Sequence, residues 1–206
     1  ATVTIKAQVN KKKGTESISQ VTIDKKELKT DVTRSLASAI EDEQGISLIS
    51  VGSNVQLPII HGLYGNRILI LNNGLKHGFQ NWGKDHAPEV DIASANKITI
   101  IKGAAGVRFG PEALGGAIIV EPNPLYLKEK FYGEVRSGFQ TNGKGYNSGF
   151  EVGQGKKKWS YFLNGNYTKI GDRNSPSYML TNSGKDETSL GSGIRYRTKK
   201  LDFKAY

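Results

Sequence analysis

The chain has 206 residues, 36% of them hydrophobic and 9% aromatic, enough to build one or two packed domains. It holds no cysteine, which excludes disulfides, thiolate catalysis and cysteine zinc sites, and no apolar run of about eighteen residues, which excludes a transmembrane helix but not membrane-crossing strands. The net charge of +10 suggests nucleic acid until it is divided: residues 1–121 carry fourteen Lys and Arg against twelve Asp and Glu, residues 122–206 fifteen against seven.

That excess lies in the second part. Five of its cations fall in two clusters, Lys156 to Lys158 and Lys199 to Lys200, each between candidate strands, so solvated turns are expected and nucleic acid is not. Ala1 opens no signal peptide, which leaves a cytoplasmic or an already processed chain. Three histidines, at 61, 77 and 86, are too few and too irregularly spaced to predict a metal site. No Ser, His and Asp constellation and no paired carboxylates stand out, so neither an enzyme nor a cofactor is expected.

In chain order the first regular element is a short amphipathic helix in "DVTRSLASAIEDEQG". Asp31 can cap it, Val32, Leu36 and Ile40 share one face, and Gly45 stops it. Its acidic end, Glu41 to Glu43, opposes the helix dipole. Apolar runs follow at "ISLISV", "RILIL", "ITII" and "AIIV", the last three too continuous for half-exposed strands and therefore expected to be covered on both faces. Between "RILIL" and "ITII" lies "KHGFQNWGKDHAPEVDIASAN", a long polar and aromatic connection of the kind that tends to carry function.

Residues 98–120, "ITIIKGAAGVRFGPEALGGAIIV", place five glycines between two apolar runs: Gly103, Gly106, Gly110, Gly115 and Gly116. A phosphate loop needs a Lys followed by Ser or Thr, which is absent. A dinucleotide fingerprint needs a tight first glycine pair, also absent, and Pro111 with Glu112 would sit where the pyrophosphate belongs. The glycines are expected instead to supply positive φ and close backbone approach between buried strands.

From about residue 130 the period changes to two. "WSYFLNGNYT" puts Trp159, Tyr161, Leu163, Gly165 and Tyr167 on one face and Ser160, Phe162, Asn164, Asn166 and Thr168 on the other. The alternation recurs in "FYGEVRSGFQ" and "SLGSGIRYR", and "LDFKAY" begins another strand. In a soluble protein the apolar face would be core; in an outer-membrane barrel it would face lipid. The joins at 141–145, 155–158, 170–188 and 198–200 alternate longer with tight ones, the asymmetry of a membrane barrel. Five such strands cannot close a barrel, so the sequence is expected to be the N-terminal piece of a longer polypeptide.

These residues resemble the TonB-dependent outer-membrane receptors, in which an N-terminal plug sits inside a large barrel. The family pattern "RG…NRVLVLIDG…D…PEIDP…IERIEVIKGPASVLYGSGALGGVINI" is similar to "HGLYGNRILILNNG…DHAPEVDIASANKITIIKGAAGVRFGPEALGGAIIV" in order, spacing and glycine placement. His61 stands where Arg is usual, Asn73 where Asp is, Ala104 for Pro and Ile119 for Asn, and none of these four departures removes a glycine.

The resemblance implies an α+β plug with a mixed sheet followed by the first antiparallel strands of a transmembrane β-barrel. Residues 1–20 would be an N-terminal arm, 21–125 the plug and 126–206 barrel wall. It implies the outer membrane of a Gram-negative-type bacterium, lipid around the barrel, and a TonB-like periplasmic energising protein as partner. It also implies a small chelate ligand: iron chelate, haem, other metal chelate or cobalamin. "ATVTIKA" resembles the energising segment, with Thr2, Val3, Thr4 and Ile5 as partner-binding residues through strand addition; an ordinary edge strand is the alternative. Ligand-binding residues are expected in the outward plug loops, at Leu63 and Tyr64 and at His77, Phe79, Gln80, Trp82, Asp85 and His86, where aromatic surface adjoins polar groups. The second of these loops is equally readable as a structural turn capped at Asp85 and Pro88. A surface adhesin or secretion-linked protein with the same architecture is the competing function.

Overall fold

A computed structural model describes residues 19–28, 35–51, 55–78 and 87–206. The first half forms a mixed five-stranded sheet. Its strands are β1 (Gln20–Asp24), β4 (Ile68–Asn72), β5 (Leu75–Lys76), β6 (Lys97–Lys102) and β7 (Gly116–Glu121), with β2 (Ile46–Val51) and β3 (Val55–Ile60) as a separate antiparallel pair. Across the sheet the order is β1-β6-β7-β4-β5, with β4 parallel to β7 and every other pair antiparallel.

The three continuous apolar runs are covered on both faces, as two-sided burial requires. Registers Ile98↔Val120, Ile100↔Ile118 and Ile70↔Ile118 set Ile68, Ile98, Ile100, Ile118 and Val120 on one face, where they join Ile23, Leu36, Ile40 and Ile60 in the main core. On the reverse face Leu69 and Ala117 pack with Ala113, Leu71 and Phe109. Ile98, Ile100 and Ile118 are fully buried, each contributing about 1.5–3 kcal/mol of transfer free energy.

Two short helices flank this sheet, α1 (Lys25–Leu28) and α2 (Leu36–Ile40). The sequence places the cap of the second helix at Asp31, which lies outside the described residues together with Val32. In the structure Ser35 fills the role: its Oγ accepts from the Ser38 N–H at 3.1 Å. Such a cap contributes on the order of 1 kcal/mol. Leu36 and Ile40 face the core as the periodicity predicts, and Gly45 leaves the turn after the helix at φ +76°.

Two tight turns depend on positive φ. His61 (+49°) and Gly62 (+79°) reverse the chain between Ile60 and Leu63, and Asn73 (+53°) and Gly74 (+80°) join β4 to β5, the pattern of two-residue hairpin turns. The glycine-rich segment after β6 winds through 3₁₀ turns at Gly103–Phe109 and is pressed against β7. A methyl group at Gly106 would lie 2.8 Å from the Gly116 Cα and 2.9 Å from the Ala113 carbonyl oxygen. Close approach is therefore what this segment needs, not an anion.

The second half is an antiparallel wall. Strands β8 (Lys130–Gln140), β9 (Gly145–Gly155), β10 (Trp159–Ile170), β13 (Lys185–Arg197) and β14 (Asp202–Ala205) lie side by side in chain order; the small hairpin β11 (Arg173–Asn174) and β12 (Met179–Leu180) sits in the connection between β10 and β13. That connection runs from 171 to 184, shorter than the sequence suggests, because "KDET" continues the strand ladder as Lys185↔Ile170 through Thr188↔Tyr167. Connections 141–144 and 171–184 share one end of the wall, tied by the Gly171 N–H donating to the Gly143 carbonyl at 2.8 Å. Turns 156–158 and 198–201 share the other.

The wall's polarity is the reverse of a soluble sheet. Phe131 (70% exposed), Val135 (84%) and Leu190 (77%) point outward, with Phe150, Trp159, Tyr161 and Leu163 also exposed. Glu151, Asn164, Asn166 and Thr168 are buried on the inner face. No helix among the described residues is long and apolar enough to cross a membrane.

Candidate functional site

Registers give the mixed sheet two ends. One carries Asp24, Asn72, Lys97 and Glu121 and leads on through 122–129 into the wall. The other carries Gln20, Ile68, Lys102 and Gly116. Strand β5 runs back along β4 toward this second end, so that the His77 N–H donates to the Ile70 carbonyl at 2.9 Å.

The His61–Arg67 turn is built onto that second end. Ile60 and Leu63 exchange backbone bonds of 2.9 Å, and the Gly115 N–H donates to the Arg67 carbonyl at 2.7 Å. Lys102 steadies the same end by donating to the Gln44 carbonyl at 2.8 Å. The His61 ring lies over Gly45, where an added methyl would meet its Nε2 at 2.7 Å.

Of the expected ligand-contact residues, Leu63 is half-buried against Gly115; a methyl group there would be 2.8 Å from the Leu63 Cβ. Tyr64 is exposed and His77 is half-buried. The structure thus brings Leu63, Tyr64 and His77 toward one end of the sheet. Phe79, Gln80, Trp82, Asp85 and His86 lie outside the described residues, as do Thr2, Val3, Thr4 and Ile5. Among the described residues no three His, Asp or Glu side chains are grouped to hold a metal ion.

The contacts between sheet domain and wall were not expected from the sequence. Lys25 donates to Glu151 Oε2 at 2.5 Å and to Asn123 Oδ1 at 3.1 Å, and the Glu151 side chain is only 3% exposed. Ser189 on β13 donates to the Asp91 carboxylate, just before the 3₁₀ turn Ile92–Ser94 that rests against β10. Nearer the short turns, Arg195 Nη1 donates to the Leu125 carbonyl at 3.3 Å. These links explain why the polar face of the wall is its buried face: it closes over the sheet domain with hydrogen bonds and, among the described residues, the Lys25–Glu151 ion pair. The only local signal for them is an acidic residue, Glu151, on the glycine-rich polar face of β9.

Residues 10–117 match the family model described as TonB-dependent Receptor Plug Domain. Among solved structures, the siderophore receptor PirA from Acinetobacter baumannii is similar over 89% of this chain and 30% of its own, with 20% identity and a TM-score of 0.72. The copper transporter OprC is similar over 87% and 28%, with 20% identity and a TM-score of 0.71. The Serratia marcescens hemophore receptor HasR, solved with its hemophore HasA and heme, is similar over 88% and 29%, with 18% identity and a TM-score of 0.75. The chain thus spans under a third of each of these three structures, and the likeness is one of fold.

Proposed function

The chain belongs to the TonB-dependent receptor family through its plug domain, and from that premise we propose that it is the plug and leading barrel strands of a transporter importing a scarce nutrient. Proteins of this family reside in the outer membrane of Gram-negative bacteria and are receptors, not enzymes. The observation that carries the proposal is the inverted polarity of the wall, apolar outward and polar inward against the plug. An exposed Val135 and a buried, ion-paired Glu151 on neighbouring strands make sense when lipid lies outside and a packed, hydrated interior lies inside.

In this reading residues 1–20 form the arm, 21–125 the plug and 126–206 barrel wall. The short turns face the periplasm and the 141–144 and 171–184 loops face outward, by the usual asymmetry of such barrels. The ligand is an iron chelate, haem, another metal chelate or cobalamin; PirA is a siderophore receptor, OprC a copper transporter and HasR a hemophore receptor solved with heme, which supports the first three of these classes. A TonB-like protein grips the arm at Thr2 to Ile5 by strand addition. Uptake of labelled ferric chelate, haem, copper and cobalamin by cells with and without the gene tests the function. One of the four should enter only when the gene is present, and uptake of none would refute import. Val3→Pro removes an N–H needed for pairing and is expected to cut that uptake roughly tenfold without changing surface binding; normal uptake would move the grip elsewhere.

The outward ligand surface is assigned to Tyr64 and the aromatic loop around Trp82. Trp82→Ala in the full-length receptor should weaken ligand affinity by about 2 kcal/mol, roughly thirtyfold, at unchanged thermal stability. Lowered stability with unchanged affinity would make the tryptophan a packing residue and end the loop's claim to the site.

A further inference from the structure

Two lysines at the long-loop end of the wall are ion-paired, whereas the five lysines of the turns at the other end are not. At the long-loop end Lys169 pairs with Asp186 at 3.6 Å and Lys185 pairs with Glu187. At the short-turn end Lys156, Lys157, Lys158, Lys199 and Lys200 are all exposed, and none forms an ion pair with a described residue. Asp202, the carboxylate closest to them in the chain, is already held by Arg195 through two bonds of 2.9 and 2.7 Å.

The two clusters form one patch. Turns 156–158 and 198–201 are adjacent, because the Arg197 N–H donates to the Lys158 carbonyl at 2.8 Å and Trp159 faces Tyr196 in the β10–β13 ladder. Both turns are held by backbone bonds, Lys156 N–H to the Trp159 carbonyl at 2.6 Å and Thr198 N–H to the Leu201 carbonyl at 2.7 Å. The lysine side chains are therefore not needed to shape them. Like charges gathered this closely gain from an anionic counterpart.

What borders the patch identifies that counterpart. Directly beside the lysines, the Trp159 and Tyr196 rings pack with centroids 4.3 Å apart, and Tyr161, level with Ile194, follows on the same outer face before the apolar Leu163. Aromatic rings with one wet edge settle at the level of lipid headgroups. The cations then lie just beyond that level, at the height of phosphates and continuous with the apolar surface.

We propose that the turns 156–158 and 198–201 are a docking surface for anionic glycerophospholipid headgroups of the phosphatidylglycerol type, in the leaflet that meets the short-turn end. The inference rests on the reading of the wall as membrane-crossing. It adds a lipid preference that this reading does not contain.

The test uses the full-length protein in nanodiscs of phosphatidylethanolamine with and without phosphatidylglycerol, compared with a variant combining Lys156→Gln, Lys157→Gln, Lys158→Gln, Lys199→Gln and Lys200→Gln. Retained lipid is measured by mass spectrometry after partial delipidation. The native protein should hold phosphatidylglycerol in preference to phosphatidylethanolamine by about tenfold, a preference that fades in high salt. The variant should enter the bilayer equally well and show no preference. Equal preference in both proteins overturns the proposal, as does displacement of the lipid by inorganic phosphate or stronger retention of lipopolysaccharide. Failure of both proteins to enter any bilayer overturns the membrane-wall reading and the lipid surface with it.

Discussion

Gly116→Ala is expected to loosen the plug sheet by about 3 kcal/mol or more, the sum of a strained backbone and an overfilled site. Gly116 starts β7 at φ +142°, a conformation that residues with a Cβ rarely adopt. The added methyl would be driven into the Ile101 carbonyl oxygen and would lie 3.3 Å from the Ile60 Cδ1. Neither neighbour can give way easily. Ile101 is fixed by the β6–β7 ladder from Lys97↔Glu121 to Lys102↔Gly116, and Ile60 is fully buried in the main core. Hydrogen exchange on the detergent-solubilised full-length receptor reads the effect directly. Amides of 97–102 and 116–121 should exchange about a hundredfold faster, while those of β9 and β10 keep their protection. Unchanged exchange in β6 and β7 would mean that residue 116 is not held in this conformation.

The second large effect is expected at the plug-to-wall ion pair. Lys25→Met leaves the Glu151 carboxylate buried without its cation, at a cost of about 3 kcal/mol. Asn123, which now accepts from Lys25 at 3.1 Å, cannot compensate through its carbonyl oxygen. Adding Glu151→Gln should recover most of the loss, because the penalty belongs to the stranded charge and not to the missing contact. Chemical denaturation of the full-length receptor, followed by protease sensitivity of the plug, measures both variants. If the single and double variants are equally destabilised, the pair contributes only packing. If neither is destabilised, the contact does not hold the plug.

The elements legible in the sequence were those whose signal is local. Three unbroken apolar runs predicted strands covered on both faces, and the registers of Ile98, Ile100 and Ile118 show why: one face meets the helix-side core, the other meets Phe109 and Ala113. The glycine segment was legible as close approach because no lysine followed by Ser or Thr accompanies it. Alternation in β8 to β10 was equally plain, but alternation has a period and no sign. The contacts of Glu151, Ser189 and Arg195 with the first half of the chain tell which face is inside. Asp31 and Ser35 are both good caps one helical turn apart, and composition alone does not choose between them. Lys25 and Glu151 were beyond any local pattern, since nothing near either residue specifies a partner on a different element. The loop holding Leu63 and Tyr64 was expected only through the family resemblance, and the seating of Leu63 on Gly115 depends on two segments brought together by the parallel β4–β7 pair.

That strand order also fixes a sequence of events during folding. Strands β8, β9 and β10 pair in succession through the short connections 141–144 and 156–158, which close quickly. Strand β1 cannot be completed that way, because its partner for Gln20 is Ile101, and β4 must wait for Gly116 to Val120. A chain emerging from its N-terminus therefore carries β1 unpaired until β6 has followed, and one edge of β4, whose other edge pairs with β5, open until β7 has followed. Over that interval the plug-forming half is the part that aggregation or proteolysis can reach, and its sheet is completed only when β7 follows the glycine-rich segment.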